Sequence, residues 1–470
     1  MTADEFRAYG HKVIDLIADY RAGVAARPVR EPSTPGAVRA QLPSEPPTEG
    51  EPFAAVLSDL TTILMPNMLH WQHPRFFGYF PSNADLASVL GDFLSTGLGQ
   101  LGLNWQSSPA LTELEQLACD WMRRMVGLSD AWSGVIQDTA STATLLGLLC
   151  ARERTTNFSL GRGGLQAEPS PLVVYVSTQS HSSVDKAALL AGFGRENVRA
   201  VPVDGTFAMR ADALESAVSE DLAAGKVPCA VVATTGTTAS TALDPVRGLA
   251  DVARRHNLWL HVDAAMAGSA MILPECRWMW DGIEGADSLV LNPHKWLGAV
   301  FDCSLFYVRD TQHLVRVMST SPSYLRSAAD GQAPNYRDWG IALGRRFRAL
   351  KLWCLIRSEG VAGLRARLRR DLDNAKWLAD EVARAPNWKV LAPVPLQTVC
   401  VTHDPPGLGG DRLDEHTRSW AARLNASGAA YVTPAVLAGR WVVRVSVGAL
   451  ATERADVEAA WAAMRAAAEG

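Results

Sequence analysis

A chain of 470 residues, 48% hydrophobic and 20% charged, is long enough to bury a large core and to form more than one domain. A formal net charge of −4 with no lysine-rich tract offers no electrostatic footprint for nucleic acid, and no apolar run reaches membrane-spanning length. Seven cysteines (Cys119, Cys150, Cys229, Cys276, Cys303, Cys354, Cys400) form no C-x-x-C pair and no metal-ligand spacing, so reduced thiols, a cytoplasmic location and no bound metal are expected.

In chain order, Phe6, Tyr9, Val13, Leu16, Ile17 and Tyr20 recur at helical spacing and predict an amphipathic first helix, too charged for a signal peptide. The proline-rich residues 28–52 predict an extended segment wrapping over a surface. A second helix over 53–65 leads to Trp71-Gln72-His73-Pro74-Arg75-Phe76-Phe77-Gly78-Tyr79-Phe80, five aromatics in ten residues of a chain with 7%. Core or interface packing accounts for any one of these rings.

Residues 135–142 run from an apolar strand into an apolar helix. The hydroxyls of Thr139, Ser141 and Thr142 at that junction suit either a phosphate or simple N-capping. Apolar runs at 172–176, 198–203, 230–234, 258–262, 288–291 and 304–308 alternate with helical segments such as 211–224 and 246–256. That predicts a mostly parallel sheet covered on both faces, with ligands gathered at the carboxyl ends of its strands. His181 follows one strand and precedes Ser182-Ser183-Val184-Asp185, a capping-box pattern; it can stack on a planar ring or serve as a hydrogen-bonded loop residue. The turn Thr235-Gly236-Thr237-Thr238 follows another strand.

Asp263 ends an apolar strand and is followed by Ala264-Ala265-Met266-Ala267-Gly268, which offers it no charged partner. A carboxylate there needs a cation or several donors, unless it only caps a helix. Asn292-Pro293-His294-Lys295-Trp296 follows the next strand. A lysine after one strand and an aspartate ending another are what pyridoxal phosphate (PLP) requires: an amine for a Schiff base and an anion for the pyridine nitrogen. There is no G-x-G-x-x-G and no Walker loop. Tyr324 sits in a polar, aperiodic stretch and is a candidate general acid on a closing loop. The arginines of 365–370 read as the exposed face of a helix, and beyond 361 the pattern changes to a smaller α+β domain.

Together these motifs resemble the group II PLP-dependent decarboxylases of fold type I, in the aromatic-L-amino-acid decarboxylase family, and above all bacterial members acting on L-DOPA. The resemblance spans nearly the whole chain, from EFRAYGHKVIDLIADY through HWQHPRFFGYFPS, SSPALTELE, QSHSSVDKA, ATTGTT, LHVDAAMAGSA, NPHKW and FDCS to LGRRFRALK. It implies an α/β, aspartate aminotransferase-like fold with an N-terminal helical dimerisation segment (1–80), a large PLP-binding domain (81–360) and a small C-terminal α+β domain (361–470).

The resemblance also implies roles. Lys295 is the Schiff-base lysine, Asp263 the partner of the pyridine nitrogen, His181 the ring-stacking histidine and Tyr324 the proton donor to the α-carbon. Thr139, Ala140, Ser141, Thr238, Ala265, Asn292 and His294 line the cofactor. Trp71, Tyr79, Phe80, Ser82, Leu101, Leu103, His181 and Gly344 line the substrate, with Leu101 and Leu103 donated by the second subunit of a homodimer. Glycine at 344 goes with bulky aromatic substrates. Departures at Gln72, Ser82, Leu103 and Met266, where animal enzymes have histidine, threonine, phenylalanine and tyrosine, bear on the choice among DOPA, 5-hydroxytryptophan, tryptophan, tyrosine and phenylalanine. Two alternatives stay open: an aminotransferase, with Arg444 as carboxylate clamp, and a non-catalytic PLP-binding module.

Overall fold

The computed structural model describes residues 1–320 and 331–470. The chain forms two compact units, Ser82–Leu372 with Ala392–Thr398, and Met1–Pro81 with Asp373–Leu391 and Val399–Gly470.

The larger unit is built on a seven-stranded sheet. Its strands are β1 (Ser133–Gln137), β2 (Leu172–Ser177), β3 (Val198–Val201), β4 (Val227–Thr234), β5 (Trp259–Asp263), β6 (Ser288–Leu291) and β7 (Ser304–Val308), in the order β1-β7-β6-β5-β4-β2-β3. All run parallel except β7, which is antiparallel to both its neighbours. Strands β2, β5, β6 and β7 are buried at every position, as expected where helices cover both faces. Leu146, Val174, Val232, Val290 and Phe306 have no accessible surface; each such side chain stabilises the fold by about 1.5–3 kcal/mol relative to exposure. The strand expected over 198–203 stops at Val201, because Pro202 has no N–H to give a ladder.

Register decides where the strands end. Gln137 pairs with Ser304, Leu291 with Leu305, Asp263 with Val290, and Thr234 with Asp263. The carboxyl ends of β1, β6, β5 and β4 therefore fall along one edge of the sheet.

The smaller unit holds a four-stranded sheet in the order β10-β11-β9-β8, from β8 (Trp388–Val390), β9 (Thr398–His403), β10 (Thr433–Leu437) and β11 (Arg440–Ser446). Ala438 and Gly439, with φ of 50° and 76°, make the two-residue turn of the β10–β11 hairpin; positive φ at both central residues matches strand twist. Helices Asp411–Ser427 and Arg454–Glu469 belong to this unit, as does the first helix, Ala3–Gly23, which begins with a Thr2/Glu5 capping box. Phe6, Ile14 and Ile17 on that first helix stay exposed.

Residues 1–81 group with the C-terminal segment because backbone hydrogen bonds tie them together: Val29 N–H to Gly428 O (2.9 Å), Phe77 N–H to Tyr431 O (2.8 Å) and Ser446 N–H to Phe77 O (2.9 Å). The expected boundary at 360/361 lies within the helix Arg348–Arg384, where Gly360 has a φ of 64°, and the two compact units part at Asp373. Among the described residues no helix is long and apolar enough to cross a membrane.

Candidate active site

Asp263 closes β5, and two consequences follow from that position. Its side chain is buried, and its Oδ1 accepts the Ala265 N–H at 3.0 Å. Its main-chain carbonyl accepts the Thr235 N–H at 2.9 Å. Among the described residues no ion pair reaches this carboxylate, so a buried anion stands at a strand end without a cation. Beside it, the hydroxyls of Thr234 and Thr235 are buried and make no hydrogen bond. A buried carboxylate held by one N–H and two buried hydroxyls without a partner, on adjacent strand ends, call for a polar ligand.

Lys295 lies one strand over, in the turn Pro293–Leu297 after β6, with non-helical φ/ψ of −93° and −109°. Asn292 and His294, both buried, shape the start of that turn. The Asn292 Oδ1 accepts the Ser304 hydroxyl at 2.6 Å, and its N–H reaches Ala265 O at 3.1 Å. The His294 Nδ1 accepts the Cys303 N–H at 2.9 Å. Burial, helped by the Lys295 charge, pushes His294 down to about 4, so its ring is neutral at pH 7.

His181 caps the helix Ser182–Leu190, its Nδ1 accepting the Ser183 N–H at 3.1 Å and lying 2.7 Å from the Ser183 hydroxyl. That leaves the proton of the neutral ring on Nε2. The residue is exposed. The protein around it still lowers its pKa, chiefly by desolvation, while Asp263 pulls it up and Lys295 pushes it down.

Thr139 stands at the start of the helix Ala140–Thr155, just past the end of β1, and no side chain caps the first N–H groups of that helix. Thr238 belongs to the turn after β4, and Ala265 follows Asp263. The set fits PLP. A buried anion without a cation matches a protonated pyridine nitrogen, an unpaired hydroxyl matches the ring's one oxygen, and an uncapped helix start matches a phosphate.

The expected substrate residues divide between the units. In the larger one, the backbones of Gly102 and Arg345 exchange both hydrogen bonds (2.8 and 2.9 Å), which brings Leu101 to Gly344. A Cβ built on Gly344 would stand 3.2 Å from Leu101 Cδ1. Ser82 and Leu103 are half-buried there. In the smaller unit, Trp71 stacks on Tyr79 (5.5 Å, 15°), and Tyr431 stacks on Phe76 (5.5 Å, 2°) and Tyr79 (6.2 Å, 30°). Arg444, the candidate carboxylate clamp, lies over the Phe80 ring at 4.9 Å. Tyr324 lies outside the described residues.

Several contributors escaped the sequence reading. Thr234 and Thr235 were visible only as strand and turn residues. Tyr431 is far in sequence from the aromatics it joins. The arginines of 365–370 are not simply an exposed face: Arg365 donates to Ile272 O (2.7 Å) and Arg367 to Trp296 O (2.9 Å), while Arg369 alone pairs with Glu275 at an exposed edge.

Comparison with known proteins shows the family. The family model described as the pyridoxal-dependent decarboxylase conserved domain matches residues 35–403. A tyrosine decarboxylase from Papaver somniferum is 40% identical over 97% of this chain and 93% of its own. A phenylacetaldehyde synthase from Arabidopsis thaliana is 39% identical over 98% and 95%. Among solved structures, Oryza sativa TDC with PLP and tryptamine superposes with a TM-score of 0.96 at 38% identity, covering 100% of this chain and 98% of the other. Catharanthus roseus tryptophan decarboxylase with L-tryptophan gives 0.93 at 35%, covering 100% and 99%. The chain therefore belongs to the pyridoxal-dependent decarboxylase family, as a PLP-dependent carboxy-lyase of fold type I.

Proposed function

We propose that this enzyme decarboxylates aromatic L-amino acids, L-DOPA foremost, to the aromatic amine and carbon dioxide. The observation that carries the reading is the buried, cation-free Asp263 on the strand beside the one that leads to Lys295. When bound, PLP supplies an electron sink conjugated to the substrate nitrogen.

The protein's own groups have separable tasks. The Lys295 amine would hold the cofactor. Asp263 keeps a proton on the ring nitrogen, in a site dry enough for that charge pair to be strong. Neutral His181 presents its ring face for stacking, and neutral His294 adds no positive charge beside the lysine. The start of the helix Ala140–Thr155 holds the phosphate. Tyr324, by its resemblance, delivers the proton to the α-carbon. A second reading, formation of an aldehyde, is raised by the phenylacetaldehyde synthase relative; a tyrosine at 324 favours the amine.

Two features support aromatic substrates. Gly344 leaves space that a side chain would take from Leu101, and the Trp71, Tyr79 and Tyr431 rings offer flat apolar surface. A homodimer is supported by the apolar face that the larger unit exposes, Leu90, Phe93, Leu94, Leu98, Leu101 and Ile341. Since Leu101 and Gly344 adjoin in one chain, whichever subunit supplies one supplies the other. Six of the seven cysteines are buried and all are free, in keeping with a reducing cytoplasm.

The test is carbon dioxide release from L-DOPA, 5-hydroxytryptophan, tryptophan, tyrosine, phenylalanine, histidine and glutamate. Release from aromatic substrates alone, with amine as product, is expected; keto-acid formation or release from glutamate overturns the proposal. Borohydride trapping with peptide mapping should label Lys295.

A further inference from the structure

The turn that carries Lys295 does not hold itself. Its Pro293 carbonyl closes the turn by accepting the Gly298 and Ala299 N–H groups. The next carbonyls point away to partners brought from elsewhere. Lys295 O accepts the Asn83 side-chain amide at 3.2 Å. Trp296 O accepts Arg367 Nη1 at 2.9 Å, Leu297 O accepts Arg367 Nη2, and Gly298 O accepts the Asp85 N–H at 3.0 Å. Four consecutive carbonyls are thus satisfied from outside, two of them by one guanidinium. Asp371, one helical turn after Arg367, is fully buried and accepts the Trp296 indole N–H at 2.9 Å. Trp296 itself has no accessible surface.

We propose that Arg367 and Asp371 are positioning residues: a brace on one helix face that fixes the Lys295 backbone so that its amine meets the cofactor aldehyde in a set geometry. The proposal rests on Lys295 being the cofactor lysine. The physical reason is that non-helical φ/ψ at Lys295 denies the turn the internal hydrogen bonds of a helix, so its carbonyls need donors from another element. A guanidinium, with its fixed fork of donors, can serve two adjacent carbonyls at once; an ammonium on a flexible stem serves one well.

The test compares holoenzyme with wild-type sequence, Arg367→Met, Arg367→Lys, Asp371→Asn and the control Arg369→Met, whose side chain pairs with exposed Glu275. Amide hydrogen exchange of residues 295–299, the rate of cofactor loss on dilution, and the pH midpoint of the lysine-bound cofactor's absorbance are measured. Arg367→Met should raise exchange in the turn and cofactor loss about tenfold each and shift the midpoint, the loss expected when buried carbonyls lose their donor. Arg367→Lys should recover part of this, Asp371→Asn should show a smaller effect of the same kind, and Arg369→Met should match the wild type. Exchange within about twofold of wild type in Arg367→Met, or equal change in Arg369→Met, overturns the brace. If Arg367→Met does not fold, Arg367→Lys decides: wild-type exchange and midpoint overturn it. Borohydride labelling of the same samples separates the two claims. A label elsewhere than Lys295 sinks the cofactor assignment, while a label at Lys295 with an unmoved turn sinks only the brace.

Discussion

Two turns flank Asp263, and they are built in opposite ways. The turn after β4, residues 235–243, is bonded to itself. Gly236 and Thr237 N–H both donate to Ala242 O (3.0 Å each), Thr241 N–H donates to Thr237 O (2.9 Å), and Ala242 N–H donates to the Thr237 hydroxyl (3.0 Å). Buried Asp244 latches its base, accepting the Thr234 and Met209 N–H groups at 2.7 Å each. The turn after β6 keeps few bonds for itself and gives its carbonyls to Asn83, Asp85 and Arg367. A turn that lines a site can be closed by neighbours in sequence. A turn that must aim one amine is held from several directions, because each outside donor removes a way for it to swing.

The comparison breaks most sharply at Asp263, which touches one turn by its carbonyl and stands beside the strand leading to the other. Asp263→Ala should cut carbon dioxide release roughly 10³-fold, the scale of a lost electrostatic stabiliser, and retain most of the bound cofactor. Initial rates and cofactor absorbance check it; near-normal turnover would remove the electron-sink role.

Arg345→Met comes next, as a stability effect. It strands Glu115, which is fully buried, pairs with Arg345 Nη2 at 2.5 Å and accepts the Ile136 N–H at 2.8 Å. The loss should be about 3–5 kcal/mol in urea unfolding, as for a buried pair losing one member, and the strip with Leu101 and Gly344 should loosen with it.

Asp244→Ala tests the self-bonded turn. Two buried N–H groups lose their acceptor, at about 1–3 kcal/mol each. The cost should depend on pH. Burial pushes the Asp244 carboxyl up to about 7, against two N–H donors that pull it down. A folded pKa above the ordinary carboxylate value means that this group's contribution is complete below about pH 4 and drains away as pH rises through 7. The gap between wild type and variant should therefore be wider at pH 5 than at pH 8, and a gap that widens with pH contradicts the assignment.

The smallest effect is expected at Gly344. In Gly344→Ser the new Cβ presses Leu101 by a few tenths of an ångström from its 3.2 Å approach. Stability should change by less than about 1 kcal/mol, while kcat/KM for tryptophan should fall about tenfold relative to tyrosine, the worth of a small volume change in an apolar pocket. Equal losses for both substrates would show that 344 does not discriminate.

Much of the chemistry was legible along the chain because it is written locally. Apolar runs marked 288–291 and 304–308 with the bounds they have in the fold, and a strand-terminal aspartate without a charged neighbour announced that something must pair with it. His181 before a capping pattern and Lys295 after a strand were readable for the same reason: short-range spacing fixes where a strand stops and a helix starts.

What the tertiary structure alone decided is how distant segments meet. Hydrophobic periodicity carries no partner information, so nothing in β7 foretold its antiparallel place between β1 and β6, nor that Tyr431 would lie on Phe76. Charge runs are equally mute: Arg367 and Arg369 look alike in sequence, and only the packing of their helix sends one to the carbonyls of the lysine turn and leaves the other at a surface glutamate.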